Sequence, residues 1–276
     1  MTVRGWSQSD LTKARKRIRF EDTLLDFNSP LVCDFCGMPL SGVSYERLVD
    51  GRLRCNDCSM TAINSREEFK KLYVRTEIMM ENVYNISIPV SINIVTADAR
   101  VIAKRSGSVF KPSTKFAIRA TGFAQRRGTR YSIYIENGSP RLRTIDTITH
   151  ELTHIWQYLN WDEKEFNRVY TVNSFADPKL NRIATKIVHD LVYEGMAVWV
   201  ANQMLYALGE TAFADKQDAL MNHRNDVYGL GYALYKDRFG IDRSGDNPAI
   251  HPFMSFPTIE PEDALLVAIY IMKGGQ

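Results

Sequence analysis

The sequence predicts an α+β protein: a small four-cysteine zinc finger followed by a larger domain with a small sheet and several helices. Three observations carry that expectation. The four cysteines fall as Cys33-x-x-Cys36 and Cys55-x-x-Cys58, with eighteen residues between the pairs, a spacing that suits one metal ion. Residues 86–137 read as strands, with apolar residues alternating with polar ones from Ile86 to Val95, the period of a strand. From residue 145 onward they recur at helical spacing.

Taken in order, residues 1–30 form a basic extension. Lys13, Arg15, Lys16, Arg17 and Arg19 crowd it, and Asp10 is placed to cap a short helix running to about Phe20. A solvated helix end explains such a run better than a nucleic-acid or anionic-surface contact. Asn28-Ser29-Pro30 then breaks the chain.

Residues 31–60 form the finger. Four thiolates close a tetrahedral site, which makes it structural, with no position left for substrate. Cys36-Gly37 reads as a knuckle turn. Gly42 and Asp50-Gly51 punctuate two short strands, Val43 to Val49 and Arg52 to Arg54. So small a segment buries little core, and its metal must supply the folding free energy. Residues 61–85 read as a connecting helix. Ser65 and Glu68 make a capping box, and Phe69, Leu72, Tyr73, Thr76, Ile78, Met79 and Val83 form its apolar face.

The third region, residues 86–276, is expected to be one domain. Ile86 to Val95 alternates as a strand. Phe116 to Gln125 and Thr129 to Asn137 read as a hairpin around Arg126-Arg127-Gly128. Its second strand, Tyr131 to Glu136, is the candidate for an edge that pairs with extended substrate, with a plain structural strand as the equal alternative.

The central motif follows: His150-Glu151-Leu152-Thr153-His154, or H-E-x-x-H. On a helix the two histidines leave one face a turn apart and can share a Zn²⁺. Glu151 is placed to act as a base on water and not as a ligand. Ile145, Ile148, Leu152, Ile155 and Leu159 give this helix a buried side. A catalytic zinc takes a third protein ligand, and the candidate lies downstream. After a short helix over Trp161 to Tyr170, Asp177 as N-cap and Pro178 at the first turn open a long helix ending near Leu208-Gly209. Within it, Glu194-Gly195 interrupts an apolar run. A carboxylate there is costly to bury without a partner, and zinc coordination removes that cost. Gly195 would let the metal helix approach closely. His189 and Asp190 compete as ligands; with Glu194 favoured, Asp190 becomes a carboxylate supporting a histidine. Three more helices follow: Ala212 to His223, Val227 to Phe239 and Pro261 to Met272.

Length and composition are those of an ordinary globular chain, with a net charge of +3. No apolar run is long enough to span a membrane, and no signal-peptide core follows Met1, so a cytoplasmic protein without a membrane partner is expected.

The order of these motifs resembles the DA1 family, plant growth-regulating metallopeptidases with a LIM domain before an H-E-x-x-H peptidase domain. Cys33-x-x-Cys36-x-Met38, Asp50-Gly51-Arg52 and Cys55-x-x-Cys58 look like the family's LIM-like finger. His150-Glu151-x-x-His154 with Trp156, then Glu194-Gly195, look like its metal residues. Val227-Tyr228-Gly229-x-Gly231-Tyr232 is similar to its Tyr-Gly-x-Gly-aromatic stretch. The resemblance implies a gluzincin-like zinc endopeptidase acting on protein or peptide substrates. It carries one catalytic and one structural zinc, with Tyr228 as the oxyanion donor; His223 and Tyr232 are the alternatives. Plant members carry ubiquitin-interacting motifs upstream, where an acidic run is expected. The basic N-terminus here leaves ubiquitin as an open question. Two other readings compete: an adaptor that binds a protein partner through the finger on a peptidase-like scaffold, and a protease of DNA-bound proteins. The second ranks lower because the finger lacks interleaved basic and aromatic residues.

Overall fold

The computed structural model describes residues 31–107, 109–110, 120–244 and 252–274. The basic extension, with its expected Asp10-capped helix, lies outside them, as do residues 116–119 of the first expected hairpin strand. The protein is a mixed α+β chain with small sheets, divided into two compact units, Leu24–Trp156 and Gln157–Gln276. Among the described residues no helix is long and apolar enough to cross a membrane.

The first unit opens with the finger. Cys33 and Cys36 flank a tight turn in which Gly37 has φ +71° and donates to the Cys33 carbonyl. Strands β1 (Tyr45–Arg47) and β2 (Leu53–Cys55) pair antiparallel; β1 is shorter than the expected Val43 to Val49, and β2 keeps the expected three residues one position later. Helix α1 (Asn56–Met60) starts at once and carries Cys58. Helix α2 (Arg66–Tyr84) begins with the expected capping box: Ser65 accepts from the Glu68 amide and Glu68 accepts from the Ser65 amide. Its buried face is Phe69, Leu72, Tyr73, Thr76, Met80 and Tyr84, whereas Ile78 is 49% exposed. The stripe follows i, i+3, i+4 steps from Phe69 and passes Ile78 by.

Among the described residues three strands make the main sheet, in the order β3-β5-β4. Strand β3 (Ile92–Ala97) is parallel to β5 (Arg130–Glu136), and β4 (Gly122–Arg127) is antiparallel to it. Two corrections follow. Strand pairing begins at Ile92, not Ile86, since Pro89 brings no amide to a ladder. A helix also follows β3, where strand had been read. This helix, α3 (Ala99–Arg105), is capped by Asp98, which accepts from the Val101 amide. Strand β5 is central, paired on both sides, so it offers no edge; among the described residues its hairpin partner β4 is paired on one side only. The hairpin turn is Gly128-Thr129, with Gly128 at φ +60°. Helix α4 (Arg141–Asn160) then carries the H-E-x-x-H motif, with Ile148, Leu152 and Ile155 fully buried.

The second unit is helical: α5 (Glu163–Tyr170), α6 (Pro178–Ala207), α7 (Thr211–Asn222), α8 (Val227–Phe239) and α9 (Pro261–Met272). Asp177 caps α6 through the Lys179 amide and Pro178 occupies its first turn, as the sequence predicts. Helices α6 and α8 cross glycine on glycine. A Cβ on Gly195 would lie 2.5 Å from the Gly231 carbonyl carbon, and one on Gly231 would lie 2.6 Å from the Leu191 oxygen. Gly195 therefore admits α8, not the metal helix that the sequence suggested.

Candidate metal centres

Among the described residues two groups bring metal-binding atoms within 4.8 Å of one another. The first is Cys33, Cys36, Cys55 and Cys58, all free thiols. The Cys36 and Cys55 sulfurs are 3.8 Å apart. That is too far for a disulfide, at about 2 Å. It matches the edge of a tetrahedron with Zn–S bonds of about 2.3 Å. The amides of Cys55 and Cys58 point at sulfurs, Cys33 Sγ at 3.4 Å and Cys55 Sγ at 3.5 Å. Crowding makes the thiols interdependent. Hydrogen bonds from Cys36 and Cys58 hold Cys33 down to about 2, and the same contact with Cys33 pushes Cys36 up to about 12. Cys58 is raised too, chiefly by its bond to Cys33. Four thiolates cannot coexist here without a cation, and a dication suits the set.

The second group is His150, His154 and Glu194. The histidine rings stand nearly perpendicular, at 83°, with their Nε2 atoms 3.1 Å apart. One ion bound at about 2.1 Å to both would hold them at close to that spacing. Three ligands, two imidazoles and one carboxylate, leave a fourth position of a tetrahedral ion open. The donor sets of both groups therefore fit zinc, and the two sites differ in kind.

The surroundings position these residues. Glu151 is buried at 3% exposure. The backbone of β4 runs directly against it: a Cβ on Gly122 would be 3.0 Å from Glu151 Oε1 and 2.7 Å from Thr147 Cγ2. Asp146, one turn before His150, pairs with Arg143 at 3.0 Å. Burial pushes its carboxyl up, opposed by Arg143 and by His150. The turn before Glu194 is tied by two side chains. Tyr235 Oη donates to the Val192 carbonyl at 2.9 Å, and Gln157 Nε2 donates to the Tyr193 carbonyl at 3.1 Å.

The remaining sequence candidates are placed as follows. Asp190 faces Lys186 in an exposed ion pair at 2.5 Å and is not in the histidine group. His189 packs edge-on against Phe166, and burial holds its pKa below the usual histidine value. Tyr232 is fully buried; its hydroxyl donates to Asp218 at 2.7 Å and accepts from Asn202, which commits it to structure. His223 is the C-terminal cap of α7. Tyr228 lies in the first turn of α8, three residues before Gly231 and so on the helix face that meets Gly195. The Arg224 guanidinium sits 4.5 Å over its ring.

The sequence reading missed Gly122, Asp146, Gln157 and Tyr235. Only Asp146 had a local signal, its four-residue spacing before His150. No family model matches this sequence, and neither a curated protein nor a solved structure is significantly similar to it.

Proposed function

We propose that this protein is a zinc-dependent endopeptidase of the DA1-like, gluzincin kind, with a LIM-like structural finger, cleaving peptide bonds in protein substrates. The observation that carries the reading is the convergence of His150, His154 and Glu194 beside a buried Glu151. A site that only stored or displayed metal would need the three ligands; it would have no use for the adjoining carboxylate.

A bound Zn²⁺ would supply Lewis-acid polarisation of a substrate carbonyl and acidification of water. The chain's own residues do the rest. His150, His154 and Glu194 hold the ion. Glu151 takes a proton from the attacking water and delivers it to the leaving amine. Tyr228 donates to the developing oxyanion, with Arg224 fixing its ring. Among the described residues β4 pairs with β5 alone, so its outer edge can take an extended substrate strand beside Glu151.

An adaptor function is the second reading. The finger exposes Val49 at 99% and Met60 at 77%, apolar side chains suited to a protein partner. The two readings separate by identifying cleaved peptides in a protein mixture treated with the wild type or with Glu151→Gln. Cleavages present only with the wild type support the peptidase. Identical patterns leave the adaptor standing.

A further inference from the structure

The finger is fastened to the polypeptide that starts the metal helix, and a single buried cation lies at the centre of the fastening. Arg52 is 1% exposed. Its Nε donates to Asp50 Oδ2 at 2.7 Å. Its Nη1 donates to Glu136 and, at 3.0 Å, to the Asn137 carbonyl; its Nη2 donates to Asn137 Oδ1 at 3.0 Å. Asp50 and Glu136 are each 2% exposed. One guanidinium thus answers two buried carboxylates and both ends of one asparagine.

The same side chain touches the zinc knuckle. Its Cζ stands 5.2 Å over the ring of Phe35, which lies between Cys33 and Cys36. The next residue, Leu53, exchanges hydrogen bonds with Asp34, at 2.5 and 2.9 Å. On the other side the whole loop from Glu136 to Arg141 is held by this part of the chain. Arg54 Nη1 donates to the Gly138 carbonyl at 2.5 Å, the Ile63 amide to Ser139 at 2.9 Å, and the Arg141 amide to Thr61 at 2.9 Å. Arg141 is the first residue of α4. The helix then runs without interruption to His150 and His154.

We infer that Arg52 is a positioning residue for the metal helix: it transmits folding of the four-cysteine finger to the Glu136–Arg141 loop, and so to the histidines. The finger metal then controls occupancy of the second centre, and any chemistry that strips zinc from the thiolates also disarms the His150/His154/Glu194 site. This rests on the reading of that trio as a metal centre. A buried arginine shared by two carboxylates is a coupling element because removing it takes a desolvated counter-charge from both Asp50 and Glu136, and breaking a buried pair from one side is costly.

The test uses the full chain and zinc alone, with no substrate. Zinc affinity of the second centre is measured by chelator competition in the wild type, Cys33→Ser, Arg52→Met and the double variant, with hydrogen exchange over residues 136–146. Cys33→Ser and Arg52→Met should each weaken that centre on the order of 10-fold, the scale seen when groups supporting a metal ligand are lost. Both should speed exchange in the loop. The double variant should lose no more than either single one, because both break one chain of contacts. With zinc in the finger and Co²⁺ in the second centre, the visible ligand-field bands should shift in Arg52→Met. Unaltered affinity and spectrum in Arg52→Met, or losses that simply add, overturn the inference. Should Arg52→Met fail to fold, Asn137→Ala removes one acceptor and leaves both carboxylates answered. It should give a smaller loss in the same direction, and no loss overturns the inference. One zinc per wild-type chain would remove the second centre itself, a failure distinct from two zincs without coupling.

Discussion

Gly195→Ala puts the proposed geometry at risk with one methyl group. Helix propensity alone favours the change by about 1 kcal/mol, so an ordinary mid-helix glycine would gain stability. The packing gives the opposite sign. The new Cβ would lie 2.5 Å from the Gly231 carbonyl carbon and 2.6 Å from its oxygen. Ordinary contact needs about 3.5–4.0 Å, and the opposing atoms are backbone, which no rotamer change can move. Helices α6 and α8 must therefore separate by roughly 1 Å. Overpacking of this kind costs about 1–3 kcal/mol; a rigid backbone contact belongs at the upper end. Net of propensity, the loss is about 2 kcal/mol, or roughly 4–8 °C in Tm for a chain of this size. Glu194 is the adjoining residue, and metal sites tolerate ligand displacements of only about 0.2 Å. Zinc affinity at the second centre should fall as well. Thermal unfolding of the metal-stripped protein, read beside chelator competition, separates packing from ligand linkage. A Tm that rises by a few degrees, or unchanged zinc affinity, would refute the glycine-on-glycine crossing as the element that places Glu194.

Glu151→Gln should keep both zinc ions and lose hydrolysis at every zinc concentration, since what is missing is proton transfer; peptide cleavage alongside metal analysis checks this. Asp190→Asn should leave zinc affinity unchanged and move Tm by less than about 2 °C, because an exposed i,i+4 ion pair is worth only a few tenths of a kcal/mol. Gly122→Ala should lower turnover with zinc retained, because the added Cβ meets Glu151 and Thr147, not the ligands; the split between kcat and metal content reads it. His189 has a folded pKa below its ordinary 6.5, first through burial. The neutral form belongs to the folded state, so its contribution is complete above pH 6.5 and is lost as pH falls through that value towards the lowered one. Replacing His189 with Leu should flatten stability across that window in denaturant titrations.

How much of this was legible depends on whether the signal is local. The Ser65–Glu68 capping box, the Asp177-Pro178 helix start and the last helix at Pro261–Met272 sit where the sequence places them, since caps and proline act within one turn. The two cysteine pairs and the histidine pair are likewise spacing signals, and the structure brings each set together. Helix α3 was local too, with Asp98 as a readable cap; it was lost inside a stretch read for period-two alternation. Strand order was not readable, because β5 pairs with β3 across more than thirty residues and nothing in Tyr131–Glu136 says which side is covered. The partner of Gly195 is equally non-local: glycine announces a close approach without naming what approaches. Arg52 was visible only as part of the Asp50-Gly51-Arg52 motif of the finger; its role was not, because only the fold reveals the two carboxylates and the asparagine that bury it.

The most direct test of the central claim is a zinc titration of Glu194→Gln against the wild type. Two ions are expected per wild-type chain: one held tightly by the four cysteines, and one released first by mild chelation from His150, His154 and Glu194. In the variant the tight ion stays, while the labile one binds on the order of 10-fold more weakly or worse, and lost peptide cleavage returns in part at high zinc. If Glu194→Gln binds two ions with wild-type affinity, Glu194 is not a ligand and the assigned centre is wrong.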